Sequence, residues 1–224
     1  MKVGPPESRM LEGAPRVLLA RHGETEWNAK GLIQGNVDIP LSAVGRAQSE
    51  ALARRLALDP PARIVSSDLS RAVETADVVA RLTGIAVEKD PALREQNLGA
   101  WEGLHFMDVR ARWPEEARLF HERAPHFRPG GGESREEMQA RVAAALERHA
   151  PRPGDGTVLV VAHGGVLSLL LYAVLGLPLA SPRRFLLPNA GLTTLHRVDG
   201  AWHVATLNDT AHLGASGSAT FPFE

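Results

Sequence analysis

The chain has 224 residues, 44% hydrophobic and 23% charged, which is a globular composition long enough to bury a substantial core and is read as a single domain. A formal net charge of -1 gives no global attraction to nucleic acid or to an anionic membrane, so any anion must be held by a local pocket. The absence of cysteine excludes disulfides, thiolate metal sites and cysteine nucleophiles, and fits a reducing, cytoplasmic setting.

Residues 1–15 are rich in Gly, Pro and charge, lack an apolar run of signal-peptide length, and read as a flexible tail before a domain over 16–213. The apolar run Val17-Leu18-Leu19-Ala20 then reads as a buried parallel strand that ends in Arg21-His22-Gly23, delivering a cation and an imidazole to its carboxyl end. A neutral imidazole is a nucleophile, a neighbouring guanidinium can hold a phosphoryl group by two hydrogen bonds, and glycine permits close backbone approach.

Ser42 is positioned to cap a helix running to Leu58, which Asp59-Pro60-Pro61 stops. Arg63 to Ser66 reads as a second strand, and Ser67 or Asp68 as the cap of a helix to Thr83 with Gly84 at its end. A third short strand is expected at Ile85 to Glu88, before the Asp90-Pro91 turn and Leu93-Arg94-Glu95. From Gln96 to Gly132 aromatic residues are scattered without period among charges, a pattern of packing residues or of a specificity insert.

Ser134 and Glu137 form the pattern of a capping box, with Met138, Val142, Ala145 and Leu146 on one face of the helix that follows. Val158 to Ala180 is almost wholly apolar, but Gly164-Gly165 and Gly176-Leu177-Pro178 divide it into a strand over Thr157 to Ala162 and a helix over Gly165 to Leu175 rather than a membrane span. Leu192 to Arg197 and Trp202 to Leu207 pair across Asp199-Gly200, an apolar pair that could serve a homodimer, and 214–224 reads as a flexible tail. Alternating strands and helices indicate an α/β three-layer sandwich, a mostly parallel central sheet with helices on both faces.

Several strands thus end in polar residues: Arg21-His22-Gly23, Ser66-Ser67-Asp68 with Arg71, Arg94-Glu95, and His163-Gly164-Gly165. Parallel strand ends share one edge of a sheet, so residues far apart in sequence can converge there. Two histidines and a carboxylate could also bind a metal, but guanidinia beside a divalent cation repel it and complement phosphate instead.

The segments RHGETEWN, QGNVDIPLSAVGRAQ, SSDLSRAVETA, REQNLGAWEGL and VVAHGGV, in that order, resemble the histidine phosphatase superfamily in its branch related to cofactor-dependent phosphoglycerate mutase. The resemblance runs from about Arg16 to Leu213. It implies that His22 is the nucleophile, that Arg21, Arg71 and His163 hold the transferring phosphoryl group, with His163 as an imidazolium, and that Glu95 donates the proton to the leaving group. It further implies that Asn28, Gln34 and Gly35 help bind a small phosphorylated substrate, with no metal or cofactor. A carboxyl beside a phosphate dianion is favoured in its protonated form, so turnover is expected to fall at high pH.

Mutases of this family usually have a longer segment between the glutamate and the second histidine, a threonine where this chain has Gln34, and a Glu-Arg-x-Tyr-Gly pattern where it has Arg94-Glu95-Gln96-Asn97-Leu98-Gly99. These departures favour a phosphomonoesterase over phosphoglycerate mutase-type transfer. A module that only binds a phosphorylated ligand is the remaining alternative, although binding alone needs neither a nucleophile nor an acid.

Overall fold

A computed structural model describes residues 13–216. The two expected tails lie mostly outside the described residues, at 1–12 and 217–224. Within the described part, Pro15 is tied to the sheet, its carbonyl accepting from the Arg197 N–H at 2.9 Å, and a 3-10 segment spans Ala211–Ser216.

The sheet has six strands: β1 Arg16–Arg21, β2 Arg63–Ser66, β3 Val87–Lys89, β4 Thr157–Ala162, β5 Leu192–Val198 and β6 Ala201–Asp209. Their order across the sheet is β3-β2-β4-β1-β5-β6. The first four neighbours run parallel, while β5 pairs antiparallel with β1 and β6 antiparallel with β5. Asp199 and Gly200 both have positive φ, at 50° and 81°, which is the type I′ geometry the Asp-Gly pair favours in a two-residue hairpin. The expected α/β architecture with a mostly parallel sheet is therefore the one observed.

The alternation of side chains along each strand builds a separate core on each face. Val17 and Leu19 of β1 join Val158, Val160 and Ala162 of β4 in a cluster covered by α6 (Arg135–His149) and α7 (Gly164–Val174). Leu18 and Ala20 join Leu159 and Val161 in the opposite cluster, under α2 (Ala43–Leu56) and α3 (Ser70–Thr83). At roughly 2 kcal/mol for each fully buried large apolar side chain, these two clusters supply most of the driving force for folding. A third cluster, Ile33, Leu98, Trp101, Val109 and Ala117, stands apart from the sheet.

That third cluster accounts for the region 96–132. It holds two short helices, α4 Phe106–Arg112 and α5 Pro114–His121, and Phe106, Trp113, Phe120 and Phe127 pack around the fully buried Trp101. The aromatic residues are mainly packing residues, and they form the wall of a cavity rather than a loose insert. The remaining short helix, α1 Glu26–Ala29, follows β1 directly.

Local expectations held where the capping residue lies next to its helix. Ser42 caps α2, accepting from Gly45 N–H at 3.0 Å, although that helix ends at Leu56 and not Leu58. Ser134 and Glu137 form the capping box of α6, and Met138, Val142, Ala145 and Leu146 are all buried. The cap of α3 differs from the expected one. Neither Ser67 nor Asp68 caps it; the first turn is closed by Asp38 from a distant loop, whose carboxylate accepts from the Ser70 N–H and hydroxyl, both at 2.7 Å. Strand β3 begins two residues later than expected, and α7 begins one residue earlier. No helix among the described residues is long and apolar enough to cross a membrane.

Candidate active site

Strands β2, β4 and β1 lie side by side in parallel, with Ser66 opposite Val161 and Arg21 opposite Ala162. The ladder extends one residue past the strands: Ser67 N–H donates to Val161 O at 3.0 Å and His22 N–H to Ala162 O at 2.9 Å. His22, His163 and Ser67 therefore stand in a row at the carboxyl edge, and the two imidazoles are 5.1 Å apart between centroids.

His22 is buried, and its Nδ1 lies 2.7 Å from the Gly23 carbonyl. A carbonyl only accepts, so Nδ1 carries the proton and Nε2 keeps its lone pair. Burial first, then the charges of Arg71 and Arg21, hold the imidazole pKa well below 6.5, so the ring is neutral around pH 7. The backbone behind it is pinned by Asn189, whose Nδ2 donates to the His22 carbonyl at 3.0 Å.

Arg71 enters from the first turn of α3 and is 1% exposed. Its Nη2 donates to Gly35 O at 2.7 Å, its Nη1 to Val37 O at 2.9 Å, and its Nε to His163 Nδ1 at 3.2 Å. That last bond makes Nδ1 the acceptor, so the proton of His163 sits on Nε2 and is donated to Ser67 Oγ at 2.8 Å. Burial, then Arg71, His22 and Arg21, keep this imidazole pKa well below its ordinary value too. At rest, then, the site holds two guanidinia and two neutral imidazoles; the imidazolium expected at His163 belongs to the state with a phosphoryl group bound. Burial also pulls Arg21 and Arg71 down to about 10, which leaves both charged at neutral pH.

Glu95 follows the turn at Pro91–Leu93 and reaches the start of α7. Its Oε2 accepts from Gly165 N–H and its Oε1 from Gln96 N–H, each at 2.9 Å, an arrangement favoured by the positive end of the helix. A Cβ at Gly165 would overlap Glu95 Oε1, so any larger residue there displaces the carboxylate. The strand-free segment carrying Glu95 is held from α6: Arg141 donates to the carbonyls of Ala92, Arg94 and Glu95 while its other edge pairs with Glu133 at 2.6 Å.

These groups line a cavity of about 770 Å³ that also takes in Asn28, Gln34 and Gly35. Of the residues named from the sequence, Arg21, His22, Arg71 and Glu95 border it, while His163 is fully buried and is not among its lining residues. Asn28 Oδ1 accepts from the Thr25 N–H and hydroxyl, both at 3.1 Å. Gly35 accepts from Arg71 through its carbonyl, has a φ of 51°, and by lacking a Cβ leaves room for Glu102. Gly23 allows the close backbone approach expected of it, and the backbone that approaches is that of α2, since a Cβ at 23 would meet Gly45 O. Arg123, Arg135 and Arg183 also line the cavity.

Sequence reasoning missed Asn189, Arg141, Arg123, Arg135 and Arg183, which sit in no recognisable local pattern. Ser67 was visible as a polar residue at a strand end but was assigned to the wrong partner.

Residues 17–210 match the family described as the histidine phosphatase superfamily (branch 1). The chain belongs to this superfamily. Among other histidine phosphatase superfamily proteins, it is 38% identical over 210 residues to a Yersinia enterocolitica protein named probable phosphoglycerate mutase GpmB, covering 88% of this chain and 94% of that one. A mycobacterial glucosyl-3-phosphoglycerate phosphatase in complex with VO3 superposes with a TM-score of 0.77 at 36% identity, covering 88% of this chain and all of the other. A phosphoserine phosphatase from Entamoeba histolytica in complex with 3-phosphoglyceric acid gives 0.80 at 28% identity, covering 88% and 98%.

Proposed function

We propose that the chain is a phosphomonoesterase that hydrolyses a small phosphorylated metabolite through a phosphohistidine at His22, without a metal. The observation that carries this reading is the neutral His22 with its proton fixed on Nδ1, which aims an unprotonated Nε2 at the cavity between two guanidinia. In the first step Nε2 attacks phosphorus and the P–O bond to the leaving group breaks, while Glu95 gives that oxygen its proton. In the second step water attacks the phosphohistidine, Glu95 takes the water proton, the P–N bond breaks and inorganic phosphate leaves. Arg21 and Arg71 bind the phosphoryl oxygens, whose charge spreads in the transition state, and stabilise it electrostatically. With the phosphoryl dianion present, His163 has a reason to take up a proton that it lacks at rest. Asn28 and Gln34 orient the rest of the substrate.

Support comes also from the solved relatives named as phosphatases, whereas the relative named a probable mutase keeps transfer to a second hydroxyl as the competing reading. Phosphate release from a panel of phosphomonoesters in EDTA, with His22→Asn protein alongside, tests the proposal. Turnover by the native protein and none by the variant is expected. Conversion of 3-phosphoglycerate into 2-phosphoglycerate without phosphate release would favour the mutase reading.

A further inference from the structure

Glu95 stands on backbone that has no hydrogen-bonded ladder of its own. Residues 94–98 belong to neither helix nor strand, and they lie between the turns Pro91–Leu93 and Gly99–Trp101. The polar backbone groups of such a segment need partners from elsewhere. Here α6 supplies them from both of its ends. Arg148, in its last turn, donates to Asp90 at 2.7 Å. Glu133, just before its start, donates its N–H to Asn97 O and accepts from Gln96 Nε2, both at 2.8 Å.

Arg141 holds the stretch between these ends and commits every donor it has to doing so. A guanidinium carries five N–H groups in one rigid plane. Nη1 donates to Ala92 O at 2.9 Å and to Arg94 O at 2.7 Å, and Nη2 donates to Glu95 O at 3.1 Å. The remaining two N–H groups, on Nε and Nη2, go to the two carboxylate oxygens of Glu133 at 2.6 and 2.7 Å. Glu133 thus fixes the plane of the fork, and the fork fixes three carbonyls, the last of them that of Glu95 itself. Arg141 is not among the residues that border the cavity at His22, so its effect on the reaction passes through what it holds.

The Glu95 carboxylate has few other restraints. One oxygen accepts from the N–H of the next residue, Gln96, which moves with it, and the bond from Gly165 N–H is the one that comes from outside the segment. A proton donor has to stand within hydrogen-bond reach of the leaving oxygen, and a displacement of about 1 Å costs on the order of a hundredfold in rate.

We propose that Arg141 is the positioning residue of the acid: with Glu133 it sets where the Glu95 backbone stands, and through it the reach of the carboxyl to the leaving oxygen. This rests on the reading of Glu95 as proton donor. The consequence is selective. Loss of Arg141 slows cleavage of esters whose leaving group needs a proton and largely spares those whose leaving group needs none, whereas a general loosening of the fold slows both alike.

The test compares kcat/KM, which reports the steps through phosphohistidine formation, for glycerol 3-phosphate and p-nitrophenyl phosphate. Native protein is set beside Arg141→Ala, Arg141→Lys, Glu133→Gln and Glu95→Gln, and the ratio between the two esters is independent of how much of a variant is folded. Arg141→Ala is expected to lower the ratio about tenfold or more, with guanidinium chloride well below denaturing concentration restoring part of it and sodium chloride none. Arg141→Lys keeps the charge but has three donors on one nitrogen, and should recover little. Glu133→Gln leaves the fork with an uncharged anchor and should lower the ratio in the same direction; it decides the matter if Arg141→Ala does not fold. An unchanged ratio in the deciding variant, or full recovery by lysine, overturns the proposal while Glu95→Gln still discriminates between the esters. An unchanged ratio in Glu95→Gln overturns the acid assignment and the proposal with it, and no release from either ester by the native protein overturns the hydrolytic reading as well.

Discussion

The neutrality of the two buried imidazoles has a consequence for stability that can be measured. His22 and His163 are held well below 6.5 by burial, with Arg71 next in each case. Because the folded value lies below the unfolded one, the unfolded chain takes up protons first as pH falls, and stability is lost from about pH 7 downward toward the depressed folded value. A histidine that stays neutral in the fold while its unfolded counterpart titrates near 6.5 removes about 2 kcal/mol between pH 7 and pH 5, and two such histidines remove about 4 kcal/mol. Against a total of roughly 5–15 kcal/mol this is a large fraction. Replacing His22 with Asn removes one titrating group while an amide N–H remains to donate to the Gly23 carbonyl. Urea unfolding followed by the fluorescence of the four tryptophans, at pH 7 and pH 5, gives the comparison. The variant should lose about 2 kcal/mol less than the native protein over that interval. Equal losses in the two proteins would refute the neutral, buried state assigned to His22.

Other outcomes follow from particular contacts. Ser67→Ala removes the acceptor for His163 Nε2 at 2.8 Å and should lower kcat about five- to tenfold with little change in KM, read by steady-state kinetics. Gly165→Ala sets a Cβ against Glu95 Oε1 and should lower kcat about a hundredfold for alkyl phosphates. It should do much less for p-nitrophenyl phosphate, whose leaving group needs no proton; an equal loss on both would remove Glu95 from the role of acid. Asp38→Ala uncaps α3 and should cost about 1 kcal/mol in urea unfolding.

The carboxyl edge of the sheet was legible because each buried strand changes abruptly from apolar to polar residues, and parallel pairing brings those ends together. Arg21, His22, Glu95 and His163 could be placed at that edge from sequence, and Arg71 one turn into the helix behind it. What sequence could not give were partners supplied from a distance. Ser67 lay where a helix cap belongs, yet the cap comes from Asp38 and the serine turns to His163. The region 96–132 lacked a period because its two helices are short and pack on Trp101 instead of on the sheet. Arg123 and Arg135 both meet Tyr172, whose hydroxyl also holds Ser181 near Arg183, and nothing local to any of the three arginines signals the others.

Trapping of the covalent intermediate tests the central claim most directly. Rapid acid-free denaturation of the protein during turnover of a ³²P-labelled phosphomonoester, followed by peptide mapping, should place the label on His22 as an acid-labile, base-stable phosphoramidate, with none on His22→Asn protein. Turnover without any labelled protein, or a label on another residue, would contradict the mechanism.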